Sequence, residues 1–232
     1  MSSMEHKITV VSFDRGHNTS IPGFRGAVAS LFPDDAIYHN HEGDSVIYRY
    51  PLIQYKIIDG TISLIGIDEG ADSVEKNFHL GQSLHLSVHG EENDFKITDK
   101  KTFYYIPESF EEQNRYYFLR GWLPLNQENH IRYCEMETIS EKIAMLDSIL
   151  SANILSLFSG FGYHSEQKSK ASILEIVSSR TVRYKDAKLL AFDIRFKCNA
   201  SLPELCGLGK GASRGFGILH ESHPRNHSIH SV

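Results

Sequence analysis

Gly207-Leu-Gly-Lys-Gly-Ala-Ser-Arg-Gly-Phe-Gly217, running into Ile218-Leu219, is the stretch on which the reading of this chain turns. It leaves room for one last strand and for no long helix after it. Glycine takes positive φ readily and lets a backbone come close to a bulky partner. Exposed N–H groups beside Lys210 and Arg214 suit phosphate oxygens. The candidate polyanion-binding set is therefore Gly207, Gly209, Lys210, Gly211, Ser213, Arg214 and Gly215. The letters Gly207-Leu-Gly209-Lys-Gly-Ala212 also match a dinucleotide fingerprint, but no βαβ unit remains to complete a cofactor site. P-loop spacing is absent as well. A passive surface turn is the plain alternative. Glycine at this density is costly in entropy, and its place beside two cations favours contact with a polyanion.

Working outward, the second half reads as strand Arg115–Leu123, a long helix and a strand pair, Ser172–Arg183 with Leu189–Cys198. Thr138 and Glu141 have capping-box spacing. Ile139, Ile143, Leu146, Leu150, Ile154 and Leu157 follow at helical period, and Gly160 ends the helix. Phe192, Ile194, Phe196 and Cys198 alternate to one face of their strand. Only a turn near Leu202–Leu205 fits before the glycine loop.

The first half shows a similar order. His6–Phe13 reads as a strand, and a helix starts near Ser20 with Pro22 in its first turn. Ile21, Phe24, Val28 and Leu31 form the helix's apolar face, and Pro33 stops it. Val46–Ile58 and Thr61–Ile67 read as strands joined at Asp59-Gly60. Asp72 and Glu75 have capping-box spacing and predict a short helix over Ser73–Leu80. Ser83–His89 alternates as a strand, Glu91–Asp94 turns, and Phe95–Ile106 returns. The order matches the split βαβ unit, so the expected fold class is α+β with two tandem ferredoxin-like (βαββαβ) domains. The polar stretch Pro107–Asn114 sets the boundary. Residues 1–112 form the first domain, 113–220 the second, and the histidine-rich residues 221–232 a flexible tail.

The chain has 232 residues, 41% of them hydrophobic, enough for a substantial core. No apolar run approaches the roughly 20 residues that span a bilayer. Met1-Ser-Ser-Met-Glu-His does not open a signal peptide, and a cytoplasmic location is expected. Cys134, Cys198 and Cys206 fit buried thiols and make neither a disulfide framework nor a zinc ribbon. The formal net charge of −5 argues against a generic nucleic-acid binder. Its distribution tempers that: Lys168–Arg214 is rich in lysine and arginine, whereas Asp68–Glu112 is acidic. A local polyanion track and a solvated sheet face both fit this asymmetry.

Tyr38-His39-Asn40-His41 follows the first helix. Histidine both takes and gives a proton near neutral pH. Cleavage of RNA by its own ribose needs one group to deprotonate the 2′-hydroxyl and another to protonate the leaving 5′-oxygen. If Tyr38–Glu42 is extended, His39 and His41 face the same side and reach one phosphodiester together. If the segment is turned, one does. Alternatively the pair is structural, or it binds a metal with Glu42 or Asp44.

Pro22-Gly-Phe-Arg-Gly-Ala-Val-Ala-Ser-Leu-Phe-Pro-Asp34, Tyr38-His-Asn-His41 and Arg49-Tyr-Pro-Leu-Ile-Gln-Tyr-Lys56 resemble the N-terminal half of the CRISPR-associated repeat-cleaving endoribonucleases. The branch resembled is the subtype I-B one of the sixth Cas family. Gly207–Gly217 is similar to the glycine-rich loop of this RAMP superfamily. The resemblance implies tandem ferredoxin-like domains and metal-independent, cofactor-free cutting of CRISPR repeat RNA. The implied products carry a 5′-hydroxyl and a 2′,3′-cyclic phosphate. It places His39 and His41 at the catalytic position, with Lys56 and Tyr38 as candidates for support near the scissile phosphate. Its implied partners are repeat RNA and other Cas proteins of an effector complex, with no membrane. A RAMP-type scaffold that holds guide RNA without cutting it is the rival reading.

Overall fold

The computed structural model describes residues 4–14, 19–39, 41–42, 45–46, 50–109, 113–164 and 169–223. The first half runs β1 (His6–Phe13), α1 (Ile21–Ser30), α2 (Ala36–His39), β2 (His41–Glu42), β3 (Ser45–Val46), β4 (Ile53–Ile58), β5 (Thr61–Ile67), α3 (Glu69–Asn77), β6 (Ser83–Val88) and β7 (Glu91–Tyr105). The second runs β8 (Glu108–Ser109), β9 (Arg115–Trp122), α4 (Gln127–Glu135), α5 (Ile139–Gly160), β10 (Ala171–Tyr184), β11 (Ala187–Cys198), β12 (Ala200–Ser201) and β13 (Ile218–Ser222).

The larger sheets have orders β4-β5-β1-β7-β6 and β10-β11-β9-β13. In each, the first strand of its half lies between the third and the last, which is the ferredoxin-like arrangement; β6 is an added edge strand paired with β7. The expected fold class holds. In the second half, as the sequence suggested, no helix stands between β11 and β13 among the described residues; β12, a turn at Glu204-Leu205 and the turns of the glycine loop fill that span.

Strands β1 and β5, at the middle of the first sheet, are buried on both faces. Val11, Phe13, Ile62 and Leu64 pack against Phe24 and Val28 of α1 and Val74 of α3. Ile8, Val10, Ile65 and Ile67 turn the other way and join the core of the second half, with Leu146, Leu150 and Ile154 of α5 and Phe192, Ile194 and Phe196 of β11. Alternation along β1 and β5 thus feeds two cores, and one of them is shared by both halves.

Local chemistry explains the agreements and the departures. Ser20 caps α1 by accepting from the Gly23 N–H, and Thr138 with Glu141 completes a reciprocal capping box at α5. Asp59 (φ 49°) and Gly60 (φ 80°) make the expected β4–β5 turn. By contrast, α3 starts at Glu69, and Asp72 is no cap: Asp72 and Glu75 bind Lys7 Nζ instead. The β6–β7 turn lies at His89-Gly90, before the expected Glu91–Asp94. The predicted strand Val46–Ile58 is interrupted, and β4 begins only after Pro51, which lacks the N–H a strand needs. Leu31, at the C-terminal cap of α1, is exposed.

Four further expectations change. α4 is absent from the sequence reading because it buries no residue and so shows no apolar stripe. α5 does have the length and apolar content to cross a bilayer, but Leu146, Leu150, Ile154 and Leu157 on one of its faces are buried in the shared core. Cys198 and Cys206 are buried thiols as expected, whereas Cys134 is exposed. The last strand also extends past residue 220, with Glu221 and Ser222 paired to Tyr117 and Tyr116; the tail from 224 onward lies outside the described residues.

Candidate nucleic-acid interface

The glycine loop is not a passive turn. Tyr50, Gln54, Tyr55 and Lys56, at the start of β4 and just before it, hold it from the first half. Lys56 Nζ donates to the carbonyls of Ala212 (2.7 Å) and Phe216 (2.9 Å). The Gly207 N–H donates to Gln54 Oε1 at 2.8 Å, and Tyr50 Oη donates to the Gly207 carbonyl at 2.8 Å. The Tyr55 N–H reaches the Ser213 carbonyl, and Tyr55 forms a parallel bridge to Arg214. Within the loop, the Leu208 N–H donates to Gly217 O at 2.7 Å and the Arg214 N–H to Gly211 O at 2.8 Å.

The cause is the strand period. Ile53 and Tyr55 point into the core of the first half, so Gln54 and Lys56 point the other way, toward the loop. Both polar side chains are fully buried. Burial pushes the Lys56 amine down to about 7, and no carboxylate offsets it.

Lys56, a candidate for support near the scissile phosphate, does not face solvent: its amine is buried and donates to two loop carbonyls. Tyr38 was the other support candidate. It is a core residue, stacked on Phe32 at 4.3 Å between ring centroids, with its hydroxyl 3.0 Å from Ser73 Oγ. The backbone of the histidine segment is not uniformly extended: Tyr38 and His39 end α2, and His41 opens the β2–β3 hairpin. The condition that would align both imidazoles by strand period alone is therefore not met. The side chains of His39 and His41 lie outside the described residues, as does Asn40.

Of the loop residues, Gly207 is buried, Lys210 is exposed, and Gly209, Gly211, Ser213, Arg214 and Gly215 are half-buried. Lys210 Nζ sits 5.5 Å from the Tyr184 ring centroid, a cation–π distance. Arg25 of α1 approaches Arg214; burial and that neighbouring positive charge hold its guanidinium below the usual range. Next to them a cleft of about 800 Å³ opens, lined by Tyr50 and Pro51, by Asn153, Ser156 and Gly160 of α5, by Tyr184 and by the loop from Gly209 to Ser213. Asn153 Oδ1 accepts from the donor-only Trp122 Nε1 at 2.9 Å, which fixes the amide's orientation.

Sequence reading missed Arg25, Tyr50, Gln54, Asn153 and Tyr184. One signal was available: Gln54 and Lys56, two apart in an otherwise apolar strand, mark a face that meets a polar partner.

The geometry is that of a cationic loop over an interdomain cleft, and comparison with known proteins agrees with it. Residues 4–104 match the family model of the Cas6b N-terminal domain, and residues 108–222 that of the Cas6b C-terminal domain. The chain belongs to the Cas6b family. A crystal structure of Cas6b superposes with a TM-score of 0.80 at 26% identity, covering 94% of this chain and 100% of that one. A crystal structure described as the CRISPR RNA processing endoribonuclease Cas6b gives 0.69 at 24% identity, again over 94% of this chain and 100% of that one. Uncharacterized protein MJ0978 of Methanocaldococcus jannaschii is 36% identical over 109 residues, 47% of this chain and 73% of that protein.

Proposed function

We propose that this Cas6b-family chain cleaves CRISPR precursor RNA within its repeats, without a metal ion, by attack of the ribose 2′-hydroxyl on the adjacent phosphodiester. One imidazole of His39 and His41 removes the 2′-hydroxyl proton, and a proton donor neutralises the leaving 5′-oxygen. The bond that forms joins 2′-O to phosphorus and the bond that breaks is P–O5′. The products therefore carry a 2′,3′-cyclic phosphate and a 5′-hydroxyl. No external nucleophile needs activating, so the step has no role that only a metal ion can fill. Lys56 and Tyr38 take no direct part in this scheme.

The observation that carries the reading is the clamped, cation-fringed loop beside the interdomain cleft. Lys210 and Arg214, with Arg25 behind them, supply the charge for a phosphodiester backbone, and the loop's backbone supplies close approach. The division of labour follows the two halves. Residues 1–112 bring the histidine segment, and residues 113–220 bring the loop and the basic hairpin β10–β11. Repeat RNA is the partner, and product RNA retained on the loop would hand the chain to other Cas proteins.

The test is single-turnover cleavage of repeat RNA by His39→Ala, His41→Ala and the double variant, with and without EDTA. Loss of the general base lowers the rate by about 10²–10⁴-fold, and EDTA leaves the wild type unchanged. Full activity in the double variant removes the histidine assignment. Activity lost to EDTA replaces this scheme with metal chemistry. Tight retention of uncut RNA by the wild type makes the chain a scaffold.

A further inference from the structure

We infer that Lys56, with Gln54 and Tyr50, is a positioning clamp through which the first half sets the shape of the RNA-holding loop and couples it to the chain leaving the histidine segment. This rests on the reading of the loop as the RNA contact.

Three features of the contact support the inference. First, it is made to backbone. Lys56 Nζ takes the carbonyls of Ala212 and Phe216, which bracket Ser213, Arg214 and Gly215. Gln54 and Tyr50 take the N–H and the carbonyl of Gly207, at the loop's entry. The clamp therefore fixes peptide orientation at both ends of the segment that presents Arg214, through bonds to backbone. Second, the contact is built tightly. A Cβ on Gly207 would lie 2.6 Å from Lys56 Nζ and 2.6 Å from Ala212 Cβ, so the loop closes on the amine with no space to spare. Third, a buried amine in an apolar strand costs desolvation that a methionine of similar length would avoid. Stability alone does not call for a lysine here, whereas steering two carbonyls at once does.

Gln54 and Lys56 lie on β4, the strand that follows the β2–β3 hairpin, and Tyr50, just before it, also lines the cleft. The position of the loop is thereby tied to the backbone that leads back toward His41. Lys56 is a positioning residue, and its removal changes the reaction after RNA is bound as well as the affinity.

The experiment uses full-length wild type and Lys56→Met. Amide hydrogen exchange is followed without RNA. Affinity is measured for a repeat RNA made uncleavable by a 2′-deoxy substitution at the cut site, and single-turnover rate at saturating cleavable RNA. In Lys56→Met the amides of Leu208, Arg214 and Phe216 exchange at least about tenfold faster, while those of β1 and β7 keep their protection. The saturating rate falls about tenfold or more, beyond any loss of affinity. Uniformly faster exchange with an unchanged saturating rate would mean a role in stability only and overturns the inference, as does wild-type behaviour in both measurements. Should Lys56→Met not fold, Tyr50→Phe deletes the hydroxyl and with it the bond to Gly207. Its loop amides then exchange faster and its saturating rate falls; no change in either overturns the clamp. The exchange arm contains no RNA. Failure of the RNA reading shows separately, as unchanged affinity in Lys210→Ala and Arg214→Ala.

Discussion

The Lys56 amine titrates at about 7 in the folded chain, because burial disfavours its charged form, against an ordinary value of 10.5. Between those values the unfolded chain holds a proton that the native state does not, so stability rises with pH there. It is lowest below about pH 7, where the native state must carry the buried charge. The slope approaches about 1.4 kcal/mol per pH unit once the native amine is neutral. At pH 7 the native amine is half-protonated, so the gain from pH 7 to pH 9 is about 2 kcal/mol. Lys56→Met lacks this group in both states. The measurement is urea unfolding of both proteins at pH 7, 8 and 9, read as the difference between their stabilities. Groups common to both cancel, and the nearby Cys206 thiol, pushed up to about 12 by burial, stays protonated in the native state across the window. Wild type should gain on the variant by about 2 kcal/mol. Parallel stability curves would show that the native amine keeps its ordinary titration, which is incompatible with a fully buried Nζ between two carbonyls.

Gly217 has φ +64°, and a Cβ there would overlap the Leu208 carbonyl oxygen, so Gly217→Ala should cost at least about 2 kcal/mol in urea unfolding. Thr138→Ala removes one side of the α5 capping box and should cost about 1 kcal/mol, lowering the melting temperature by about 2–4 °C with RNA affinity unchanged. Lys210→Ala and Arg214→Ala should each weaken repeat-RNA binding and reduce the slope of log K against log salt by about 1, read by titration at several salt concentrations.

Whatever rested on one dominant local signal was legible in the sequence. The alternation of Ser83–Val88, the helix start near Ser20, the capping box at Thr138 and the turn at Asp59-Gly60 each fix an element through nearest neighbours, and the structure has each of them. Two of these also place the cleft: the capped α5 carries Asn153 and Ser156, and the turn at Asp59-Gly60 ends the strand that grips the loop. Failure came where a pattern had two readings. Asp72 and Glu75 have cap spacing, but Lys7 lies across from them on β1, and an ion pair between distant residues carries no local signature. The clamp was hidden for the same reason. Lys56 was visible as a cation near the histidine segment, yet nothing nearby in sequence reveals that its partners are carbonyls some 150 positions further on.

That long-range contact revises the physical meaning of the glycines. On sequence grounds they allow backbone to approach a polyanion. In the structure two of them are first required by the protein itself: Gly207 lets the loop close on Lys56 and Ala212, and Gly217 lets the chain pass the Leu208 carbonyl. The loop is therefore shaped before any RNA arrives, and its cations are presented on a fixed frame. A flexible loop would lose conformational entropy on binding, at about 1–2 kcal/mol for each residue ordered. On the proposed RNA contact, a frame held by Lys56, Gln54 and Tyr50 would have met that cost during folding, leaving the charge attraction of Lys210 and Arg214 free to act on the phosphates. Because the frame's anchor belongs to the half that carries the histidines, neither half can form the complete site alone.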